Sequence, residues 1–121
     1  MTKSVLIIED EPNIVESLTF LLERAGFTVT SEIDGSKALS VIAALAPDVV
    51  ILDVMLPNKS GFDILRDLRL RGETQPKVLM LTAKGQARDQ KMAEDIGVDV
   101  FMSKPFANAE VVARVRSLVG Q

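Results

Sequence analysis

Four short apolar runs recur along the chain, Val5–Ile8, Val49–Leu52, Val78–Leu81 and Val100–Met102. A weaker segment, Phe27–Ser31, is rich in β-branched residues and lies between the first two. Continuous apolar runs of this length suit strands buried on both faces of a parallel sheet. Helical patterns separate them. Ile14, Leu18, Leu21, Leu22 and Ala25 fall at i, i+4, i+7, i+8 and i+11 and draw one apolar stripe, with Pro12 placed for a first turn and Gly26 for a stop. Ala38, Leu39, Ile42 and Leu45 make a second stripe, with Asp34 as its cap and Pro47 beyond its end. Ser60–Asp63 resembles a capping box opening a third helix that carries Ile64, Leu65 and Leu68. The last helix presents Val111, Val112, Val115, Leu118 and Val119 on one side.

The fourth helix, over 86–96, is thin. Its apolar positions are Ala87, Met92, Ala93 and Ile96. Little buried area anchors it, which places it at the low-stability end of the domain.

Strand and helix alternate five times, which predicts an α/β fold with a parallel sheet and right-handed crossovers. The 121 residues contain no low-complexity stretch or linker, so a single domain over 1–121 is expected.

Ligands of open α/β sheets bind beyond the carboxyl ends of the strands. Glu9 and Asp10 follow the first apolar run, Asp53 the third, Thr82 the fourth, and Lys104 and Pro105 the fifth. Singly, each could be a turn or cap residue. With a strand order of 2-1-3-4-5, the three acids would converge at the switch point. Three carboxylates crowded together repel one another, at about 4 kcal/mol per pair for a 4 Å separation and an effective dielectric near 20. Either one takes up a proton or a cation sits among them.

Composition narrows the chemistry. The chain has no Cys, His or Tyr. That removes disulfides, thiolate or imidazole metal sites, Ser-His and Cys-His catalysis, and a histidine phosphocarrier. An all-oxygen site suits Mg²⁺, Mn²⁺ or Ca²⁺. Thr82 and Lys104 would add a donor and a positive charge, which together with a metal meet the needs of a phosphoryl group. A carboxylate nucleophile would give an acyl phosphate. The net charge of −3 disfavours a nucleic-acid surface, and the apolar runs are too short for a membrane span or signal peptide. A cytoplasmic protein is expected.

The segments IIEDEPN (7–13), LDVMLPNKSGFD (52–63), LTAKG (81–85) and FMSKPF (101–106), in that order and spacing, resemble the receiver domain of two-component response regulators. The resemblance spans essentially the whole chain. It implies a flavodoxin-like (βα)5 fold with a doubly wound five-stranded sheet. It makes Asp53 the acceptor of a phosphoryl group from a sensor histidine kinase or a histidine phosphotransfer protein. It implies Mg²⁺ held by Asp10, by Asp53 and by the backbone carbonyl of Met55, with Glu9 acting largely through a metal-bound water. Thr82 and Lys104 would contact the phosphoryl oxygens, Thr82 and Phe101 would form the switch, and the Lys104–Pro105 peptide would be cis. The helix 4–strand 5–helix 5 face would switch partner binding.

Two other functions fit the residues less well. A haloacid-dehalogenase-like aspartyl-phosphate hydrolase needs a second Asp two residues after the nucleophile, where Met55 stands. Phosphorylation-independent interaction modules on this fold have usually lost one of the five rim residues, and this chain keeps all five. Regulators of the winged-helix transcription-factor type dimerise through paired charges, of which Asp99, Glu110 and Arg114 are present. Val100 and Gln90 stand where two of their partners would be. The expectation is therefore a monomer, or a weak dimer on activation, in which Glu110 and Arg114 pair within one helix.

Overall fold

The computed structural model describes residues 2–71, 76–83 and 87–121. Its elements are β1 (Ser4–Ile8), α1 (Pro12–Arg24), β2 (Thr28–Glu32), a 3₁₀ turn (Gly35–Lys37), α2 (Ala38–Leu45), β3 (Val49–Asp53), α3 (Gly61–Leu70), β4 (Lys77–Thr82), α4 (Ala87–Ile96), β5 (Val100–Ser103) and α5 (Asn108–Leu118). The strands pair in parallel in the order β2-β1-β3-β4-β5. This is the doubly wound, flavodoxin-like arrangement. Of the motif at 81–85, Lys84 and Gly85 lie outside the described residues, as does Gln86 of the fourth helix.

Alternation along the strands divides the core into two layers. Leu6, Ile8, Val50, Leu52, Val78 and Met80 face α2, α3 and α4. Val5, Ile7, Val49, Ile51, Leu79 and Leu81 face α1 and α5, where they meet Leu18, Leu22, Val111 and Val115. The three central strands are buried on both faces, which is why they read as unbroken apolar runs. β2 is an edge strand, largely exposed, and its Thr and Glu content fits that place.

Helix boundaries follow local chemistry. Pro12 opens α1, and Gly26 leaves it at φ +97°. The Ser60 hydroxyl accepts the Asp63 N–H at 3.2 Å and caps α3. The Asp34 carboxylate accepts from Ser36 N–H, but it caps the 3₁₀ turn, and α2 begins only at Ala38.

Three apolar positions depart from the stripes. Leu45, the last residue of α2, is exposed. On α4, Met92 and Ala87 are exposed, and only Ala93 is fully buried. The thin anchoring expected of that helix is present.

The chain leaves α2 through Ala46, a left-handed residue at φ 46° and ψ 56°, whose N–H donates to the Ile42 carbonyl at 2.8 Å. A Cβ in this conformation is strained, and Pro47 prevents relaxation back into the helix. Ala46→Gly is expected to raise the unfolding free energy by about 1 kcal/mol, the relieved strain exceeding the entropic cost of glycine. Urea denaturation reads this as a higher midpoint at unchanged slope; a lower midpoint would show that Ala46 carries no strain.

Candidate functional site

The site forms where β1 and β3, adjacent in the sheet, both end in acids. Glu9 directly follows β1, and its N–H is fixed by the Glu32 carbonyl of the edge strand at 3.1 Å. Asp53 is the last residue of β3. Thr82 ends β4, opposite Ser103. Lys104 follows β5, with its N–H bonded to the Thr82 carbonyl at 2.7 Å. The Lys104–Pro105 peptide is cis. All the rim residues singled out from the sequence therefore lie at one end of the sheet.

Burial separates their roles. Glu9 is fully buried, Asp53 and Thr82 nearly so, and Asp10 is exposed. Glycine 61 sets the floor. A Cβ there would lie 2.2 Å from the Asp53 carbonyl oxygen and 2.9 Å from Val54 Cα, so only glycine lets α3 start this close to the end of β3. Its N–H bonds the Val54 carbonyl at 2.9 Å and fixes the loop that follows Asp53. Met55 stands in that loop with its side chain exposed.

Lys104 is the charge centre. Its Nζ lies 2.9 Å from Glu9 Oε1, 3.0 Å from Glu11 Oε1 and 3.4 Å from Asp53 Oδ1. Burial works against the ammonium, but the contacts with Glu9 and Glu11 and the charge of Asp53 outweigh it and hold its pKa above the usual lysine value. Burial pushes Glu9 up to about 7, with Lys104 opposing and the Asp53 charge reinforcing the rise. Burial raises Asp53 as well, against the pull of Lys104. One ammonium does not fully offset two desolvated carboxylates.

The donor set fits a hard divalent cation. Glu9, Asp10 and Asp53 each offer a carboxylate oxygen, and the three oxygens lie within 4.8 Å of one another. Glu9 Oε1 is buried in ion contact with Lys104 at 2.9 Å and has no hydrogen-bond partner among the described residues, which leaves it able to accept from a further ligand. No nitrogen or sulfur ligand is at hand, which favours Mg²⁺ over softer metals.

Phe101, on β5 beside Met80, is half-buried in the layer that contains Ala93 of α4. Beside Thr82 opens a cavity of about 340 Å³ lined by Val54, Met55, Ser60, Phe62, Thr82, Arg88 and Asp89.

Two features escaped the sequence reading. Glu11 lies inside the IIEDEPN segment but received no role, and the structure puts it on Lys104. Asp99, read as an interface acid, is engaged within the chain: its Oδ2 accepts from Arg69 Nη2 at 3.0 Å and from the Val78 N–H at 2.8 Å. No local pattern marks either contact, since 93 and 30 residues separate the partners. Glu110 and Arg114 do lie together on α5, at 3.7 Å.

The sequence matches the response regulator receiver domain family over residues 5–116. It is 40% identical over 119 residues to the alkaline phosphatase synthesis transcriptional regulatory protein PhoP of Bacillus subtilis (strain 168), covering 98% of this chain and 49% of that protein. It is 41% identical over 116 residues to the probable transcriptional regulatory protein TcrX of Mycobacterium tuberculosis, covering 96% of this chain and 49% of that one. The chain thus spans about half the length of the curated relatives it matches. Among solved structures, the BeF3-activated N-terminal receiver domain of Klebsiella pneumoniae RstA superposes with a TM-score of 0.89 at 30% identity, over 98% of this chain and all of that one. The receiver domain of Francisella response regulator 1452 gives 0.91 at 28% identity, over 97% and 96% of the two chains.

The raised Glu9 pKa has a stability consequence. A carboxyl whose folded pKa exceeds its unfolded value of 4.5 contributes stability that is fully present below 4.5 and is lost as pH rises through about 7. In a chelator, Glu9→Gln should therefore gain on the wild type between pH 5 and pH 8. Urea midpoints across that range measure it; a difference independent of pH would mean that Glu9 is not held protonated.

Proposed function

The chain belongs to the response regulator receiver domain family, and on that premise we propose that Asp53 accepts a phosphoryl group from a histidine kinase or a histidine phosphotransfer protein. The observation that carries this reading is the placement of a buried aspartate beside a lysine, at 3.4 Å, and within reach of two further acids. An Asp53 carboxylate oxygen attacks phosphorus, the P–N bond of the phosphohistidine breaks, and its electron pair returns to the imidazole nitrogen, which takes up a proton. The product is an acyl phosphate.

The residues divide the work by position. Lys104 pairs with the incoming phosphoryl oxygens and offsets their charge, in a site dry enough to make that attraction strong. Thr82, at the end of the neighbouring strand, supplies a hydroxyl donor to the same oxygens. Glu9, Asp10, Asp53 and the Met55 carbonyl would hold Mg²⁺, Glu9 largely through a water. When bound, the ion neutralises charge on donor and acceptor alike.

The output is a shift between two states. Thr82 moves toward the phosphoryl group, and Phe101 turns into the space it leaves. A few charge-assisted hydrogen bonds suffice to bias states a few kcal/mol apart. The face of α4, β5 and α5 reports the change, because α4 buries only Ala93 completely and resists displacement least. A downstream protein reads that face. The chain acts in the cytoplasm as a signalling domain whose only catalysis is its own phosphorylation and dephosphorylation, and it makes no nucleic-acid contact of its own. Among the described residues no helix is long and apolar enough to cross a membrane.

Acetyl phosphate with Mg²⁺ should add one phosphoryl group to the intact protein by mass spectrometry, and Asp53→Asn should abolish the addition. Labelling of the variant at the wild-type rate would remove Asp53 from the role.

Millimolar Mg²⁺ should raise the melting temperature, because it binds the folded state alone. Asp10→Asn should shrink that rise. Calorimetry is the suitable assay, since the chain has no Trp or Tyr. A rise of the same size in the variant would place the ion elsewhere.

A further inference from the structure

Glu11 occupies the N-cap position of α1, where short polar side chains such as Ser or Asp bond the free backbone N–H groups of the first turn. The longer Glu11 side chain does not. The Glu11 carbonyl accepts from Ile14 and Val15 N–H at 3.1 Å each, and the side chain makes no capping bond. Its carboxylate turns instead to Lys104 and takes a hydrogen bond from Nζ at 3.0 Å. That contact is shorter than the 3.4 Å from the same nitrogen to Asp53.

The sheet order gives this contact a direction. Glu9 and Glu11 follow β1, on one side of Asp53, and Thr82 ends β4, on the other. An ammonium has three donors. In the resting protein two of its three neighbouring carboxylates, Glu9 and Glu11, draw it to the β1 side.

We propose that Glu11 is a positioning residue that tethers Lys104 toward β1 and so restrains its pairing with a phosphoryl group on Asp53. This rests on the reading of Asp53 as the phosphoacceptor. The tether stabilises the unphosphorylated state and must loosen as phosphoryl oxygens claim the ammonium. Glu11 is more than half exposed, so the effect is that of a partly solvated ion pair. Removing it should raise the phosphorylation rate by about threefold, within the range of such pairs.

Two variants separate the tether from a simple field effect on an anionic donor. Glu11→Gln removes the charge, whereas Glu11→Asp keeps it and shortens the reach by one methylene. Both leave the backbone cap in place. The first measurement needs no phosphodonor: in the unphosphorylated protein, both variants should shift the Lys104 Nζ resonance in ¹⁵N NMR and speed the exchange of its protons. An unchanged resonance in both overturns the tether, whatever happens at Asp53. The second measurement is the rate of mass gain with acetyl phosphate and Mg²⁺. An increase of similar size in both variants supports the proposal. An increase in Glu11→Gln alone assigns the effect to charge and overturns it. A decrease in either variant overturns it too, because Glu11 would then be aiming Lys104 at the acceptor. If the wild type takes up no phosphoryl group while the lysine resonance responds as expected, the phosphoacceptor reading fails and the resting contact stands.

Discussion

The arrangement turns on a charge imbalance at the end of a dry sheet. Glu9 and Asp53 are buried at the end of the apolar sheet, and among the described residues Lys104 is the cation that contacts both. Two desolvated carboxylates beside one ammonium are costly, since a buried charge is tolerated only when paired and fully hydrogen-bonded. The raised pKa values of both acids express that cost. A site in this condition is one where a compensating positive charge would relieve the imbalance, and the apolar strands that exclude water are part of that condition.

The scaffold keeps this imbalance in place through close backbone approaches. Gly61 lets α3 start against the Asp53 carbonyl, and Gly35 meets the loop after β3 in the same way, where a Cβ would lie 2.2 Å from the Lys59 carbonyl. Asp34 adds to that junction by accepting from Asn58 at 3.0 Å and from Ser36, bonds that hold its carboxyl below the usual range. The Asp53 side of the rim is therefore closely braced.

The opposite side is divided. Arg69 of α3 donates to the Gly97 carbonyl at 2.9 Å, to the Pro76 carbonyl at 3.1 Å and to Asp99, so the turn between α4 and β5 is fastened to α3 and to the start of β4. The body of α4 is held chiefly by Ala93, with Ile96 and Val98 packing partly beside it. A helix fastened at its C-terminal end and lightly packed along its length is suited to pivot. The same bonds engage Asp99 within the chain, and Glu110 has Arg114 beside it.

Much of this was legible in the residues. Unbroken apolar runs this short, rich in β-branched residues and alternating with helical stripes, suit a sheet buried on both faces, so β1, β3 and β4 announced themselves, and Pro12, Ser60 and Gly26 marked helix ends by local backbone chemistry. The acids, the threonine and the lysine that follow the runs marked the rim. Contacts between distant segments were not legible. Nothing in the run of residues shows that Glu11 forgoes its cap to meet Lys104, that Arg69 captures Asp99, or that Glu9 is buried while Asp10, next to it, is exposed. Hydrophobic period and capping are local and read directly from sequence. Burial of a charge, its pKa and its choice of partner depend on which surfaces the crossovers bring together, and only the tertiary structure decides that.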